Sequence, residues 1–274
     1  MKHARLIAGG AAAAGTLGLY AAIENTLLLR TAVFQADVPG LPRLVQISDL
    51  HRRQFGEGQC RLIRRVAALK PEYIVITGDL VSRTVTDFRQ VSALLHRLRE
   101  IAPVLMIRGN HELDLPAEGD AALRSVLRCC GVYLLENEIV RLGRAEIPFA
   151  GVSLTREHYR GGGLLGLRGK TACTAEEMHR LLGDCPDNTV LLAHNPIFFP
   201  AYAEWGAKLT LSGHIHGGVV RLPGIGGLLS PERKFGPKYD KGQYAIGRSE
   251  MIVSGGLGKL RLFNPPELSL ITGK

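Results

Sequence analysis

Apolar runs and helical stripes alternate along the first half of the chain. The runs at residues 44–47, 73–77 and 104–107 are short, rich in Ile, Val and Leu, and typical of buried strands. Between them, apolar residues recur at helical spacing within residues 61–69 and 87–98. This alternation of strands and helices predicts a parallel sheet that is covered by helices.

The second half of the chain has a different pattern. Gly- and Pro-rich turns separate the predicted elements, and one helix is expected at residues 175–182. Four strands are predicted here, at residues 189–193, 208–211, 243–246 and 251–254. This mixture predicts a second, partly antiparallel sheet that packs on the first.

Five short polar clusters stand at the C-terminal ends of apolar runs. They contain Asp, Asn and five of the nine His of the chain, which are residue types that bind transition metals. Because binding sites in open α/β sheets form outside the carboxyl ends of strands, we expect the clusters to meet at one edge. Each cluster alone is a weak signal, whereas the ordered set is a strong one. The clusters are Asp49-Leu50-His51, Gly78-Asp79, Gly109-Asn110-His111-Glu112, His194-Asn195 and Gly213-His214-Ile215-His216.

Composition narrows the class of protein. The 274 residues are 46% hydrophobic and 22% charged, which is enough for one large globular domain or two small ones. The five Cys are odd in number and form no C-x-x-C pair, which excludes a disulfide framework and a thiolate zinc site. The formal net charge of +9 favours an anionic partner, namely a phosphorylated substrate, a nucleic acid or a membrane surface. A generally basic surface explains this charge equally well.

The N-terminal segment differs from the rest of the chain. The basic residues Lys2 and Arg5 are followed by an apolar stretch that extends to residue 23. We interpret residues 1–26 as an uncleaved signal anchor, with a cleaved signal peptide or a buried helix as the alternatives. The positive charges would keep the N-terminus in the cytoplasm, so a catalytic domain at residues 36–274 is expected on the outer side of the cell membrane.

On the residues of the five clusters, the chain resembles the calcineurin-like metallophosphoesterase superfamily. The clusters match its pattern D-x-H, G-D, G-N-H-[DE], H and G-H-x-H in order. The closing region at residues 229–267 is similar to a bacterial branch of membrane-anchored or exported phosphodiesterases. The resemblance implies an α/β fold, a four-layer α/β/β/α sandwich of two mixed β-sheets flanked by helices.

The resemblance also implies a role for the polar residues of the clusters. Asp79 is expected to bridge two divalent ions, and oxygen and nitrogen donors without thiolate suit Mn, Fe or Zn. His111 is expected to be the catalytic residue that stabilises a phosphoryl oxygen or protonates the leaving oxygen. The implied ligands are Asp49, His51, Asp79 and His216 for one ion, and Asp79, Asn110, His194 and His214 for the other.

Residues next to these clusters have two interpretations each. Glu112 either orients His111 or is an ordinary loop carboxylate. Arg52 and Arg53 either bind a second phosphate of the substrate or lie in a solvated loop. A basic stretch at residues 234–241 either borders the substrate cleft or faces solvent or lipid headgroups. The histidines that are not expected to be ligands are His3, His96, His158 and His179.

These assignments predict a dinuclear metal-dependent phosphoester hydrolase, specifically a phosphodiesterase that acts by attack of a metal-activated hydroxide on phosphorus. The alternatives are a pyrophosphatase of the UDP-2,3-diacylglucosamine type, which the predicted anchor motivates, and a non-catalytic metal-binding scaffold of the same fold. The expected partners are a phosphorylated small molecule or lipid-linked substrate and, through the N-terminal segment, the membrane. Nucleic acid is not expected because no basic motif with interleaved aromatic residues is present.

Overall fold

The computed structural model describes residues 15–159, 171–218, 220–222, 224, 226–228, 236–259 and 261–274. Its strands are β1 (Arg30–Ala36), β2 (Leu44–Ile47), β3 (Tyr73–Ile76), β4 (Val104–Met106), β5 (Tyr133–Leu134), β6 (Glu138–Leu142), β7 (Ile147–Gly151), β8 (Val190–Leu192), β9 (Leu209–Ser212), β10 (Arg221–Leu222), β11 (Gly226–Gly227), β12 (Gly242–Ile246), β13 (Ser249–Val253) and β14 (Glu267–Gly273). Its α-helices are α1 (residues 15–26), α2 (Cys60–Ala68), α3 (Arg89–Ile101), α4 (Asn110–Leu113), α5 (Ala117–Cys129), α6 (Ala175–Leu182) and α7 (Phe199–Trp205).

Most strands belong to two six-stranded sheets, and both sheets are mixed. The first sheet has the order β1-β14-β2-β3-β4-β5, in which β2 to β5 run parallel and β14 is antiparallel to β2. The second has the order β12-β13-β9-β8-β7-β6, in which the edge strands β12 and β6 pair antiparallel with their neighbours. The predicted second, partly antiparallel sheet is therefore confirmed.

Three apolar clusters separate four layers of secondary structure. In β3, Ile74 and Ile76 face α2, α3 and α5, whereas Val75 faces the second sheet together with Leu192 of β8. This alternation follows from the two-residue period of a strand. The outer face of the second sheet is covered by α6 and α7, and Met178 of α6 is fully buried there. The predicted four-layer α/β/β/α sandwich of two mixed β-sheets is confirmed.

The two ends of the chain meet in the first sheet, which the local pattern did not predict. Strand β14 lies between β1 and β2 and pairs in parallel with β1, so that residue 30 lies opposite residue 267. Strand β1 ends at residue 36, where the catalytic domain was predicted to begin. The apolar pattern of a strand predicts the strand itself but not its partner. Pairing between segments so distant in sequence therefore cannot be predicted from local pattern.

The N-terminal prediction needs a correction. Within the described residues, no helix combines the length and the apolar character needed to cross a bilayer. This contradicts the predicted membrane anchor, the membrane contact and the assignment to the cell membrane, and residues 1–14 of that prediction lie outside the described residues. Helix α1 ends at residue 26, where the buried carboxylate of Glu24 accepts a hydrogen bond from the backbone N–H of Phe263.

Candidate metal centre

The carboxyl ends of strands from both sheets bring the polar clusters to one edge. Asp49 follows β2, Asp79 follows β3, and Asn110 opens helix α4 after β4. From the second sheet, His194 follows β8 and His214 follows β9. Their side chains lie close enough together to bind the same metal ion. The clusters therefore meet as the sequence predicted.

The first ligand group consists of Asp49, His51, Asp79 and His216. One donor atom from each lies within 4.8 Å of the others. Nε2 of His216 is 3.3 Å from Oδ1 of Asp49 and 3.3 Å from Nε2 of His51. Two imidazole nitrogens that face each other beside two carboxylates form a donor set that fits a divalent transition-metal ion.

The second ligand group consists of Asp79, His194 and His214, with Asn110 beside them. Donor atoms of the first three lie within 4.8 Å of one another, and all three residues are buried. Nε2 of His194 is 3.4 Å from Oδ2 of Asp79 and 3.3 Å from Oδ1 of Asn110. Asp79 belongs to both groups and can therefore bridge two ions.

The orientation of His194 is set by the backbone. Its Nδ1 donates a hydrogen bond to the carbonyl of Thr77 at 2.6 Å, which leaves Nε2 to face Asp79. Burial lowers the pKa of His194, but the charge of Asp79, the hydrogen bond to that carboxylate, the charge of Asp49 and the carbonyl of Thr77 together raise it to about 9. A proton must therefore leave this imidazole when an ion takes its place beside the carboxylate.

The two buried carboxylates are ionised. Burial raises the pKa of Asp49, but its attraction to His216 is among the interactions that lower the pKa to below its ordinary value. Burial also raises the pKa of Asp79, and His194 makes the main opposing contribution that brings it below the ordinary value. Both residues can thus act as anionic ligands at neutral pH, and divalent cations would strengthen this preference.

The backbone of the ligands adopts an uncommon conformation. Five of them have positive φ angles between 51° and 72°, in a region that residues other than Gly rarely occupy. Such a conformation costs about 1–3 kcal/mol for each residue, and it persists where the surrounding structure holds it. The five residues are Asp49, His51, Asp79, His214 and His216.

Gly109 permits the close approach of two clusters. A Cβ atom at this position would lie 2.6 Å from the backbone nitrogen of Asp79 and 2.8 Å from Nε2 of His194. Neither contact is compatible with a side chain, because both neighbours are fixed parts of the centre. A residue without a side chain is therefore required immediately before Asn110 for steric reasons.

His111 lies beside the first ligand group without belonging to it. The centroid of its ring is 4.4 Å from that of His51, and its backbone N–H donates to Oδ1 of Asp79 at 2.8 Å. Arg83 contacts both ring nitrogens: its backbone nitrogen is 3.2 Å from Nδ1, and its Nη2 is 3.1 Å from Nε2. Burial lowers the pKa of His111, and the charge of Arg83 adds to this effect against the opposing charge of Asp79, so the imidazole is neutral.

Arg83 is a residue that the sequence analysis missed. Its side chain is 44% exposed, and Nη1 pairs with Oδ2 of Asp114 at 3.3 Å. The one available signal was its position four residues after Asp79 in the same loop. That signal does not distinguish a residue at the centre from an ordinary surface arginine.

Glu112 acts differently from either predicted role. It is 1% exposed, and its carboxylate accepts hydrogen bonds from the backbone N–H groups of Asp79, Val81 and Gly109. These bonds join the loop after β3 to the start of α4. Glu112 thus fixes the backbone of Asp79, and the prediction that it orients the ring of His111 is wrong because its oxygens are directed at backbone donors.

The two arginines after His51 have separate environments. Arg53 is 2% exposed, and its guanidinium donates to the backbone carbonyls of Gly258 and Asn25. These bonds commit Arg53 to holding the fold together. Arg52 is exposed at the rim of a cavity beside His51, where it stays available for the predicted contact with substrate.

The C-terminal segment supports His216 through its backbone. Arg261 is 3% exposed, and its Nη1 donates to the carbonyl of His216 at 3.1 Å. Nδ2 of Asn264 donates to the same carbonyl at 2.6 Å. Both residues lie beyond the last polar cluster, and nothing in their sequence surroundings indicates a role near a ligand.

The basic stretch at residues 234–241 has few free charges in its described part. Nζ of Lys241 is 2.8 Å from Oε2 of Glu267, and Tyr239 is buried with its ring against that of Phe199. Residues 234 and 235 lie outside the described part of the chain. Among the histidines not expected to be ligands, His96, His158 and His179 lie outside both ligand groups, and His3 lies outside the described residues.

Several known proteins are similar to this chain. YkuE of Bacillus subtilis, an uncharacterised metallophosphoesterase, is 28% identical over 240 residues, which cover 85% of this chain and 79% of YkuE. The phosphodiesterase YaeI of Escherichia coli is 27% identical over 238 residues, which cover 84% of this chain and 81% of YaeI. Among solved structures, TT1561 of Thermus thermophilus aligns with a TM-score of 0.49 at 15% identity, over 79% of this chain and 90% of TT1561.

A family profile determines to which protein family the chain belongs. The profile for calcineurin-like phosphoesterases matches residues 42–218, which make up well over half of the chain. All five polar clusters, and with them both ligand groups, fall within the matched region. The chain belongs to the calcineurin-like phosphoesterase family and carries a candidate site for two metal ions.

Proposed function

We propose that the protein is a dinuclear metal-dependent phosphodiesterase. The observation that carries this proposal is the position of Asp79, which belongs to both ligand groups. A carboxylate shared in this way places two ions side by side, as in two-metal hydrolytic sites. The family assignment supports hydrolysis of a phosphoester, and the similarity to YaeI favours a diester over a monoester.

The donor sets divide between two ions. One ion would be held by Asp49, His51, Asp79 and His216, and the other by Asp79, Asn110, His194 and His214. Two bound divalent ions of Mn, Fe or Zn supply Lewis acidity toward the phosphoryl oxygens and lower the pKa of water. The two carboxylates leave a surplus of positive charge at the centre, which favours an anionic substrate.

The residues beside the ligands act on the substrate directly. His111 is mostly buried next to the first ligand group, so the N–H of its neutral ring can hydrogen bond a phosphoryl oxygen, and the ring can pass a proton to the leaving oxygen after it has first taken one up. Arg83 is next to His111 and partly exposed, so its guanidinium can turn to a phosphoryl oxygen. Arg52 is exposed at the cavity that His51 also lines, so it can provide a second cation for the substrate.

The alternatives have less support. The predicted membrane anchor was the reason for considering a lipid-linked pyrophosphate, and no described helix supports that anchor. A non-catalytic scaffold would be expected to lack a ligand or the His111 side chain. Both ligand groups and His111 are complete among the described residues.

A paired assay tests the proposal. Protein loaded with Mn²⁺ is assayed with bis(p-nitrophenyl) phosphate and p-nitrophenyl phosphate, and kcat/KM for the diester should be higher by at least about tenfold. Chelation should abolish the activity and Mn²⁺ should restore it. Asp79→Ala should be inactive, whereas the exposed control Asp187→Ala should match the unmodified protein. Preference for the monoester would overturn the diesterase assignment, and full activity of Asp79→Ala would overturn the metal mechanism.

A further inference from the structure

A cavity of ≈ 380 Å³ opens directly beside the first ligand group. His51 forms part of its wall, and so does Ser82, which immediately precedes Arg83. The opposite wall is the first turn of α3, with Gln90. A phosphoryl group bound between the ligands and Arg83 would therefore have this cavity within reach of one of its substituents.

The floor of the cavity is apolar. Leu50, Leu80 and Leu94 line it and are 3%, 1% and 3% exposed. Apolar side chains offer no hydrogen bond to a phosphate oxygen, and a charged group loses its hydration against them. The floor thus favours an organic group over a second phosphate.

Of the charged residues that line the cavity, Arg52 is exposed at the rim, whereas Arg53 and Asp87 are committed to other partners. The guanidinium of Arg53 is bound to two backbone carbonyls. Both carboxylate oxygens of Asp87 accept hydrogen bonds from Arg89. At the mouth, Nε2 of Gln54 donates to Oε1 of Gln90 at 2.6 Å. Apart from Arg52 at the rim, which can pair with the phosphoryl group itself, the lining offers uncharged hydrogen-bonding groups and apolar side chains, and these suit a substituent that carries no charge.

We infer that this cavity binds an uncharged organic ester group of a phosphodiester substrate. The inference rests on the proposed function and narrows its substrate class. The cavity volume is near the lower limit for small-molecule sites, so it accommodates one compact group such as an aryl, glyceryl or nucleoside moiety. A diester presents such a group next to the reacting phosphorus, whereas inorganic phosphate does not.

Binding of two phosphonates to Mn²⁺-loaded protein tests the inference, with calorimetry as the readout. Phenylphosphonate and methylphosphonate carry the same charged head and differ only in the group that would enter the cavity. Phenylphosphonate should bind at least about tenfold more tightly. Gln90→Trp and Thr86→Trp fill the cavity from two walls and should each reduce this ratio to near one. His96→Trp introduces the same side chain at an exposed position of α3 outside the cavity and should keep the ratio.

The outcomes separate this inference from the proposed function. Equal affinities for the two phosphonates, or a ratio that both filling variants leave unchanged, would overturn the inference. Failure of phenylphosphonate to bind would also overturn it. The protein could instead show the expected affinity ratio and its loss in the two filling variants, but hydrolyse no diester. That result would support binding of an organic group in the cavity and overturn the proposed reaction.

Discussion

The two ligand groups share Asp79 but have different surroundings. In the second group, the side chain of His194 is fully buried and its Nδ1 is bound to Thr77. The ring of Tyr159 packs at 5.3 Å from that of His214. This group is enclosed by the second sheet and the segment that follows β7.

The first group is more open and depends on more distant parts of the chain. His51 and His216 have side chains that are 17% and 18% exposed. His216 is held through its backbone carbonyl by Arg261 and Asn264 of the C-terminal segment. From this comparison we expect that an ion in the enclosed group would be held more permanently, and that an ion in the open group would exchange more readily and lie nearer to a substrate.

The largest expected effect comes from removing one histidine from each ligand group, and the stability of the metal-free protein should distinguish the two variants. His194→Ala and His216→Ala should each lower kcat/KM by at least about a thousandfold through loss of a ligand. Each change leaves a buried carboxylate without its main partner, which is Asp79 for His194 and Asp49 for His216. His194→Ala should destabilise the metal-free protein more, by about 1–3 kcal/mol, because it also leaves the buried carbonyl of Thr77 without its donor, whereas water can reach the site of His216, whose side chain is 18% exposed. Urea denaturation of the metal-free variants measures this difference. Equal midpoints for the two variants would contradict the contrast between an enclosed and an open group.

The next effect separates catalysis from metal binding. His111→Ala should lower kcat by about 10²–10⁴-fold, as expected for loss of a proton-transfer group. Both ions should remain bound, since Asp79 is contacted by the backbone N–H of residue 111, which Ala retains. Metal analysis of the purified variant provides the check, and loss of an ion would assign His111 to the ligands.

A smaller effect tests the support from the C-terminal segment. Arg261→Ala should weaken binding at the first group by about 10–100-fold, because residues that orient metal ligands typically contribute this much. Binding at the second group should stay unchanged, so a calorimetric titration with Mn²⁺ should show one altered step. The exposed control Arg248→Ala should leave both steps as they are, and equal weakening of the two steps would show that Arg261 supports the fold in general.

The smallest effect concerns Glu112. Glu112→Gln should destabilise the protein by about 1–3 kcal/mol, because the amide NH₂ would face a backbone N–H that now donates to a carboxylate oxygen. Glu118→Gln on the exposed face of α5 is the matched control. Thermal denaturation compares the two variants, and an unchanged midpoint for Glu112→Gln would remove its assigned role in fixing the loop of Asp79.

Local pattern predicted the elements that carry the site. The strands at residues 44–47, 73–77 and 104–107 were correct because each is a short apolar run between helical stripes, and the polar residue at its end is then positioned by the sheet. The predicted anchor is contradicted, because no helix among the described residues is long and apolar enough to cross a membrane. The described part of α1 ends at residue 26, with Glu24 turned into the domain.

Residues that act through distant contacts escaped prediction. Arg53 and Arg52 are adjacent and chemically identical, yet one is bound to Gly258 and Asn25 while the other is exposed. Arg261 is an ordinary arginine in sequence, and its role exists only because β14 returns the chain to the first sheet. Such roles depend on pairings across the whole chain, which leave no periodic signal.

The sequence by itself determined the family, the fold class and which side chains are available as ligands, because each polar cluster directly follows its own strand. The tertiary structure decided how those side chains are shared and held: Asp79 between the two groups, His194 against Thr77, and His216 against the C-terminal segment. It also decided the left-handed backbone of five ligands and the cavity beside His51. The physical reason is that ligand identity is a property of single residues, whereas distance, burial and orientation arise only when both sheets are packed together.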